Sequence, residues 1–148
     1  MKKNDTYKKI SRQLLNTIKQ FNQYDQKARN FGTDHKLHFS EIHLIEFIGN
    51  HKNCYVSEIA KNINVTKGAV SQMVKKLERK EYLLKIPDVN NKSRTLIHLT
   101  PKGQKAFDEH NKYHAYLDNL VADALKDFSP QEEQLIYQFL KTMKYKWK

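Results

Sequence analysis

The segment Val56–Leu83 constrains the fold more than any other part of the chain. It reads VSEIAKNINVTKGAVSQMVKKLERKEYL and contains two short amphipathic segments separated by the tight connection Asn62–Val65. Thr66 stands where a helix N-cap is expected, because its hydroxyl can accept a hydrogen bond from the first turn. The apolar residues behind it recur at helical spacing and predict one buried face: Val70, Met73, Val74 and Leu77. Two helices joined in this way predict a helix-turn-helix.

Two predicted strands follow this pair of helices. The segments YLLKI and RTLIHLT are rich in strand-forming residues, and the Pro, Asp and Asn residues of the intervening stretch 87–93 favour a turn. A basic hairpin directly after a helix-turn-helix is typical of a winged helix. We therefore predict a winged helix-turn-helix over about residues 40–100.

The rest of the chain predicts four further helices. Apolar spacing predicts long helices over Thr6–Ala28 and over about residues 101–126, and Ser40 is expected to cap the short helix SEIHLIEFIG. The stretch 129–132 reads SPQE, a capping box that opens the last helix. The predicted fold class is mainly α with a small β-wing. No linker or repeat divides residues 1–148, so we expect a single domain.

The helices outside the winged helix are amphipathic and have no partner surface within it. Their apolar faces lie in about residues 1–35 and 101–148. A second copy of the chain is the simplest surface to cover them. The sequence therefore predicts a homodimer whose N- and C-terminal helices form the dimerisation region.

The positive charge of the chain is concentrated around the predicted helix-turn-helix and wing. The formal net charge is +11, and residues 61–94 contain nine Lys or Arg against three acidic residues, a net of +6. Nucleic acid is the commonest anionic partner of such a protein, ahead of a membrane surface. We therefore predict double-stranded DNA as the partner.

Cysteine content and hydropathy indicate the compartment. Cys54 is the sole cysteine, so no intramolecular disulfide can form and a reducing, intracellular setting is expected. No stretch approaches the roughly 18 apolar residues that span a bilayer. We expect a soluble, cytoplasmic protein without a membrane partner.

The candidate DNA-binding residues lie on the polar face of the second predicted helix and in the wing. They are Thr66, Lys67, Gly68, Ser71, Gln72, Lys75, Lys76, Arg79, Lys92 and Arg94. A helix fits the major groove, where Ser71 and Gln72 can hydrogen-bond to base edges and Gly68 lets the backbone approach closely. The basic helix residues suit phosphates, whereas Lys92 and Arg94 suit the backbone or a narrow minor groove.

Four titratable residues interrupt the predicted apolar helix faces: Asp25, His43, His110 and His114. The last two lie four residues apart, so their imidazoles can share a metal ion, and a third His with a carboxylate completes an N3O set suited to zinc. The alternative is that these are hydrogen-bonded groups lining a pocket, since burial requires partners or an ion. The other histidines are expected on the surface or in loops: His35, His38, His51 and His98.

The order of elements and the phrase IHLTPKGQKAF after the wing resemble the MarR family of bacterial transcriptional regulators. The resemblance covers essentially the whole chain. It implies a homodimeric repressor whose two winged helices read a pseudo-palindromic operator. The wing departs from the family's Asp-x-Arg-Asp-x-Arg pattern, because PDVNNKSR has Asp88, Lys92 and Arg94 at other spacings. The residue that enters the minor groove is therefore left open.

The four titratable residues resemble the metal site of the family's zinc-responsive branch. That branch has a carboxylate on the first helix, a His on the second and His-x-x-x-His on the fifth, which Asp25, His43, His110 and His114 match with Asp in place of Glu. The branch's second, cysteine-containing site has no counterpart, since Phe31 stands at the Cys position. The resemblance implies zinc as effector. Similar histidine patterns in fatty-acid-responsive members leave a small organic or fatty-acyl ligand as the alternative.

Two other classes of function compete with this interpretation. The stretch HNKYH lacks the Glu that acts as general base in zinc hydrolases, and no phosphate-binding glycine loop is present, so we predict that the chain is not an enzyme. A sequence-indifferent architectural protein would share the charge but would not discriminate an operator from random duplex. Ser71 and Gln72 on the polar face favour base reading.

Overall fold

The computed structural model describes residues 3–147, and within that range it contains six helices and one three-stranded sheet. The elements are α1 (Lys3–Asp25), α2 (Phe39–Asn50), β1 (Cys54–Tyr55), α3 (Val56–Ile63), α4 (Lys67–Arg79), β2 (Leu83–Pro87), β3 (Thr95–Leu99), α5 (Pro101–Leu125) and α6 (Pro130–Lys146). The predicted fold class, mainly α with a small β-wing, is confirmed. The helix-turn-helix is α3–α4, and β2 and β3 form the wing.

The sheet is antiparallel with strand order β1-β3-β2. In the wing, Leu83 pairs with Leu99 and Pro87 with Thr95. The strand β1, in which Cys54 pairs with Ile97, was not predicted. Two residues are too few to show the alternation by which a strand is detected in a sequence.

The core lies beneath α4 and is formed by apolar side chains of α2, α3, α4 and the sheet. Ile45, Ile59, Val70, Val74 and Leu77 are completely inaccessible to solvent. The predicted buried face of α4 is thus confirmed, with Met73 partly buried against the same cluster. Each such side chain contributes about 1.5–3 kcal/mol when fully buried. This packing fixes which side of α4 faces solvent.

The starts of α1 and α2 and the end of α1 differ from the predictions. Ser40 does not cap α2, because the helix already begins at Phe39 and the carboxylate of Glu41 accepts the backbone N–H of His38. The helix α1 ends at Asp25 and not at Ala28. The chain turns there because Arg29 and Leu37 exchange backbone hydrogen bonds in an isolated β-bridge.

The start of α5 is joined tightly to the turn that follows α4. Thr100 Oγ1 accepts the backbone N–H of Gly103 and donates to the carbonyl of Glu81. A Cβ on Gly103 would lie 2.1 Å from the carbonyl oxygen of Tyr82. Only glycine allows this close approach, so the LTPKG phrase fixes the base of the wing against α5.

The chain divides into two compact units, the first ending at His110 and the second beginning at Asn111. In the second unit, α6 begins with the predicted capping box: Ser129 Oγ accepts the Glu132 N–H, and Glu132 Oε2 accepts the Ser129 N–H. These hydrogen bonds lower the pKa of Glu132. No described residue of α6 is buried within the chain, and Leu135 and Leu140 are largely exposed.

Candidate functional site

The outer side of α4 forms a polar and basic surface that we call the reading face. Its residues are Thr66, Lys67, Gly68, Ser71, Gln72, Lys75, Lys76 and Arg79. All of them are exposed except Ser71, which is half-buried. Thr66 is the N-cap, as predicted, and its hydroxyl accepts the Ala69 N–H at 3.1 Å. This hydrogen bond therefore fixes the start of α4, where the reading face begins.

Most charges of the reading face have no counter-ion among the residues that the structure describes. Within residues 3–147, the side chains of Lys67, Lys75 and Arg79 form no hydrogen bond or ion pair. Their ammonium and guanidinium groups are solvated and available. A polyanion such as duplex DNA gains the full Coulomb attraction of groups that are not already neutralised.

Lys76 differs from its neighbours because it is paired with a buried carboxylate. Glu41 of α2 is 2% exposed, and its Oε1 lies 3.0 Å from the Nζ atoms of both Lys76 and Lys80. Burial raises the pKa of Glu41, but hydrogen bonds from His38 N–H and from the two lysines outweigh it, so the net pKa is lowered. Glu41 thus ties α2 to the C-terminal end of α4.

Gly68 faces open space on the reading face. A Cβ added at Gly68 would have no heavy atom within 4 Å. The glycine is therefore not needed for packing inside the chain, and helix propensity alone favours Ala at this position. The missing side chain instead leaves room for an external partner to approach the backbone of α4.

The wing connection presents one basic residue at its turn and one at its base. Asn90 N–H bonds to Asp88 Oδ1, and Ser93 N–H bonds to Asn91 Oδ1, so the loop is fixed by its own side chains. Lys92 is exposed in this turn and forms no ion pair with residues 3–147. Arg94 lies at the base, with its guanidinium carbon 4.5 Å from the ring centroid of Tyr55.

Three potential metal ligands meet where α2 packs against α5 in the first unit. Potential ligand atoms of His43, Glu46 and His110 lie within 4.8 Å of one another. Glu46 Oε2 is 2.9 Å from His43 Nδ1 and 3.5 Å from His110 Nε2. We call these residues the histidine–glutamate cluster. Two imidazoles and one carboxylate are a donor set that zinc accepts.

The cluster is buried at His110 and partly exposed at His43 and Glu46. His110 is 2% exposed, and its ring packs edge-to-face against Phe31 and against the His43 ring. His43 Nε2 is buried and has no hydrogen-bond partner among residues 3–147. A buried polar atom without a partner is costly, and a ligand or ordered water would satisfy it. The observed residues therefore fit a metal ion.

The structure brings together two of the four predicted metal ligands. Asp25 is half-buried at the end of α1 but does not belong to the group whose ligand atoms lie within 4.8 Å. His114 lies in the second unit, on α5, with its ring 6.0 Å from that of Tyr113. Asp25 and His114 remain predicted ligands. Glu46 was missed, although it lies three residues after His43 and so on the same helix face.

Two further residues, Cys54 and His98, lie outside the reading face and the histidine–glutamate cluster. Burial raises the pKa of the Cys54 thiol to about 11, and the thiol donates to the His51 carbonyl, so thiolate chemistry at neutral pH is disfavoured. His98 was expected on the surface, but it lies half-buried in β3 with a buried Nε2.

None of the helices in residues 3–147 combines the length and the apolarity needed to cross a membrane. Together, the reading face, the hairpin and the core beneath them define a winged-helix DNA-binding protein. Comparison with known proteins indicates a family within this class.

The comparisons agree on one family. A MarR family model matches residues 37–94. The HTH-type transcriptional regulator PchR of Bacillus subtilis is 27% identical over 135 residues, which are 90% of this chain and 79% of PchR. The chain is therefore similar to the MarR family of transcriptional regulators, whose model matches its winged-helix segment. It is a DNA-binding regulator and not an enzyme, as the sequence predicted.

Two solved structures share the fold. The zinc-responsive MarR family member ZitR of Lactococcus lactis matches with a TM-score of 0.77 at 21% identity, over 96% of this chain and 99% of ZitR. FabT of Streptococcus pneumoniae, in complex with DNA, matches with a TM-score of 0.78 at 23% identity, over 95% and 96% of the two chains. These likenesses extend the winged-helix fold to the flanking helices.

Proposed function

We propose that the chain is a homodimeric repressor that reads a pseudo-palindromic operator in the cytoplasm. The observation that carries this proposal is the asymmetry of α4. Val70, Val74 and Leu77 are buried, while Lys67, Lys75 and Arg79 are solvated and have no counter-ion among the described residues. These three side chains can enter a major groove without losing any contact that the fold needs.

The residues of the reading face divide into two roles. Ser71 and Gln72 hydrogen-bond to base edges and set sequence preference, and Gly68 gives the backbone clearance. The remaining basic residues of the helix contact phosphates: Lys67, Lys75, Lys76 and Arg79. Thr66 fixes the helix start beside the DNA, and Lys92 at the turn of the wing reaches the minor groove.

Exposed apolar side chains on the terminal helices support the dimer. Ile10 and Phe21 on α1 and Leu135 and Leu140 on α6 are each at least 45% exposed in the single chain. Helices with exposed apolar faces are stable when another surface covers them. A second copy supplies that surface and places two reading faces on one duplex.

Zinc is the proposed effector, held by His43, Glu46 and His110, with Asp25 and His114 as further predicted ligands. Two features support it: the three ligand atoms lie within 4.8 Å of one another, and His43 Nε2 is buried without a partner among residues 3–147. The structural neighbour ZitR is a zinc-responsive protein. A bound zinc would supply a fixed divalent charge, while His43 and Glu46 on α2 and His110 on α5 orient it.

The division of labour on α4 is tested with duplexes selected from a random pool by the wild-type protein. We expect Gln72→Ala to weaken binding to the selected duplex by about 1–3 kcal/mol and to leave binding to random duplex nearly unchanged. Lys75→Ala should weaken both duplexes alike, because phosphates are the same in every sequence. Fluorescence anisotropy measures both affinities. Equal losses on both duplexes for Gln72→Ala would contradict base reading by this residue.

A further inference from the structure

Arg94 does not extend from the turn of the wing, although it belongs to the basic wing segment. Its N–H donates to the Asn91 carbonyl at 2.8 Å, and its own carbonyl accepts the Asp88 N–H at 3.1 Å. These two hydrogen bonds close the loop at its base and fix the backbone of Arg94. The direction of its side chain is then set by what lies beside the sheet.

The neighbour that receives this side chain is Tyr55 of the short strand β1. Tyr55 pairs with Leu96 of β3, and Arg94 lies two residues before Leu96, so both side chains emerge on the same face of the sheet. The guanidinium carbon of Arg94 lies 4.5 Å from the Tyr55 ring centroid. A cation at this distance from an aromatic ring is attracted to it, and the planar guanidinium keeps its N–H donors free for another acceptor.

The pair borders a cleft of about 300 Å³ between the base of the wing and the start of α4. The cleft is lined by Tyr55, Ser57, Lys67, Ser93 and Arg94, among others, and contains no acidic residue. Glu58 lines the adjoining cleft, together with Lys61 and Lys67. Two cations and several hydroxyls around one cleft are complementary to a tetrahedral anion.

We propose that Tyr55 is a positioning residue that holds Arg94, opposite Lys67, against one phosphodiester of the DNA backbone. This inference rests on the proposed DNA-binding function, and it assigns Arg94 to the backbone rather than to the minor groove. Tyr55 acts through the face of its ring and not through its hydroxyl. The ring restricts the rotamers of Arg94, so fewer are lost when the phosphate binds.

The salt dependence of binding to a duplex of arbitrary sequence tests this assignment. The slope of log Kobs against log salt concentration loses about 0.9 for each phosphate contact that is removed. We expect Arg94→Gln to reduce the slope by about one, which corresponds to roughly an eightfold loss of affinity at 0.1 M salt. Tyr55→Leu should lower affinity in the same direction, and Tyr55→Phe, which keeps the ring, should match the wild type. Adding Tyr55→Leu to Arg94→Gln should cost nothing further.

Lys36→Gln is the matched control, because it removes one exposed positive charge outside the cleft. It should leave the slope unchanged. An unchanged slope in Arg94→Gln, a loss in Tyr55→Phe equal to that in Tyr55→Leu, or additive losses in the double variant would overturn the inference. Wild-type protein that does not bind duplex even at low salt would instead refute the proposed DNA-binding function. Thermal melting of each variant distinguishes a lost contact from a lost fold.

Discussion

The reading face and the histidine–glutamate cluster both collect titratable groups, but in opposite surroundings. Lys67, Lys75 and Arg79 lie in water without counter-ions among the described residues. His110, in contrast, is 2% exposed, packs against the Phe31 ring and contacts Glu46. An unpaired cation in water costs little. A buried polar atom without a partner, such as His43 Nε2 among residues 3–147, costs about 1–3 kcal/mol. The reading face is therefore stable without its polyanionic partner. The histidine–glutamate cluster, in contrast, is stabilised when a small cation binds.

The two regions share α2. This helix carries Glu41, which binds Lys76 and Lys80 at the end of α4, and also His43 and Glu46 of the cluster. A change at the cluster that moves α2 would be felt by the end of the helix that bears the reading face. Substitutions in the cluster, at Glu41 and on the reading face change the two regions separately.

Zinc binding at the cluster should have the largest effect on the stability of the folded chain. A ligand present at 100 times its dissociation constant stabilises the folded chain by about 2.7 kcal/mol, so zinc should raise the melting temperature of the wild type. His110→Ala should abolish this increase. His51→Ala, which changes an exposed histidine outside the cluster, should retain it. Differential scanning calorimetry measures the increase, and the same increase in His110→Ala would remove zinc from this site.

Glu41→Gln should destabilise the chain by about 2 kcal/mol, because charge-assisted hydrogen bonds to Lys76, Lys80 and His38 N–H weaken. The pKa of Glu41 is lower in the folded chain than its ordinary value of 4.5. The ion pairs therefore contribute their full stability above about pH 4.5 and lose it as pH falls through the folded pKa. Urea denaturation at pH 7 and below pH 4 should show a difference between variant and wild type that shrinks with acid. A constant difference would mean that the charge of Glu41 is not what matters.

Gly68→Ala should have the smallest effect on stability and the opposite sign. Alanine in the helix stabilises it by up to about 1 kcal/mol relative to glycine, and open space surrounds the added methyl. Binding to DNA should nevertheless weaken, because the methyl faces the groove. Melting temperature and DNA affinity measured on one preparation test this. A Gly68→Ala variant that binds DNA as well as the wild type would show that Gly68 is not needed for clearance.

The sequence predicts local structure well where side-chain spacing determines it. The buried face of α4, the caps Thr66 and Ser129 and the wing strands all depend on residues close in sequence, and all are confirmed. The strand β1 was missed because it is defined only by its pairing with β3, more than 40 residues away. The end of α1 was wrong for a similar reason, since the bridge from Arg29 to Leu37 stops it.

The candidate sites were predictable to different extents. Exposed basic residues of α4 follow from helix periodicity alone. The pairing of Lys76 with Glu41 does not, because 35 residues separate them along the chain. His43 and His110 were singled out as polar interruptions of apolar faces, but Glu46 was overlooked because a charged residue on a helix is usually solvated. Its contact with both histidines becomes visible only when α2 and α5 pack together.

Regulation by zinc is tested most directly by the DNA affinity of the wild-type protein, measured with zinc and after a chelator has removed the zinc. On a duplex selected from a random pool, we predict that zinc changes the dissociation constant by about 5- to 150-fold, the usual range of coupling between two sites. Random duplex should bind more weakly in both conditions. Tight, sequence-specific binding that is the same with and without zinc would contradict regulation through the histidine–glutamate cluster and direct the search to an organic effector.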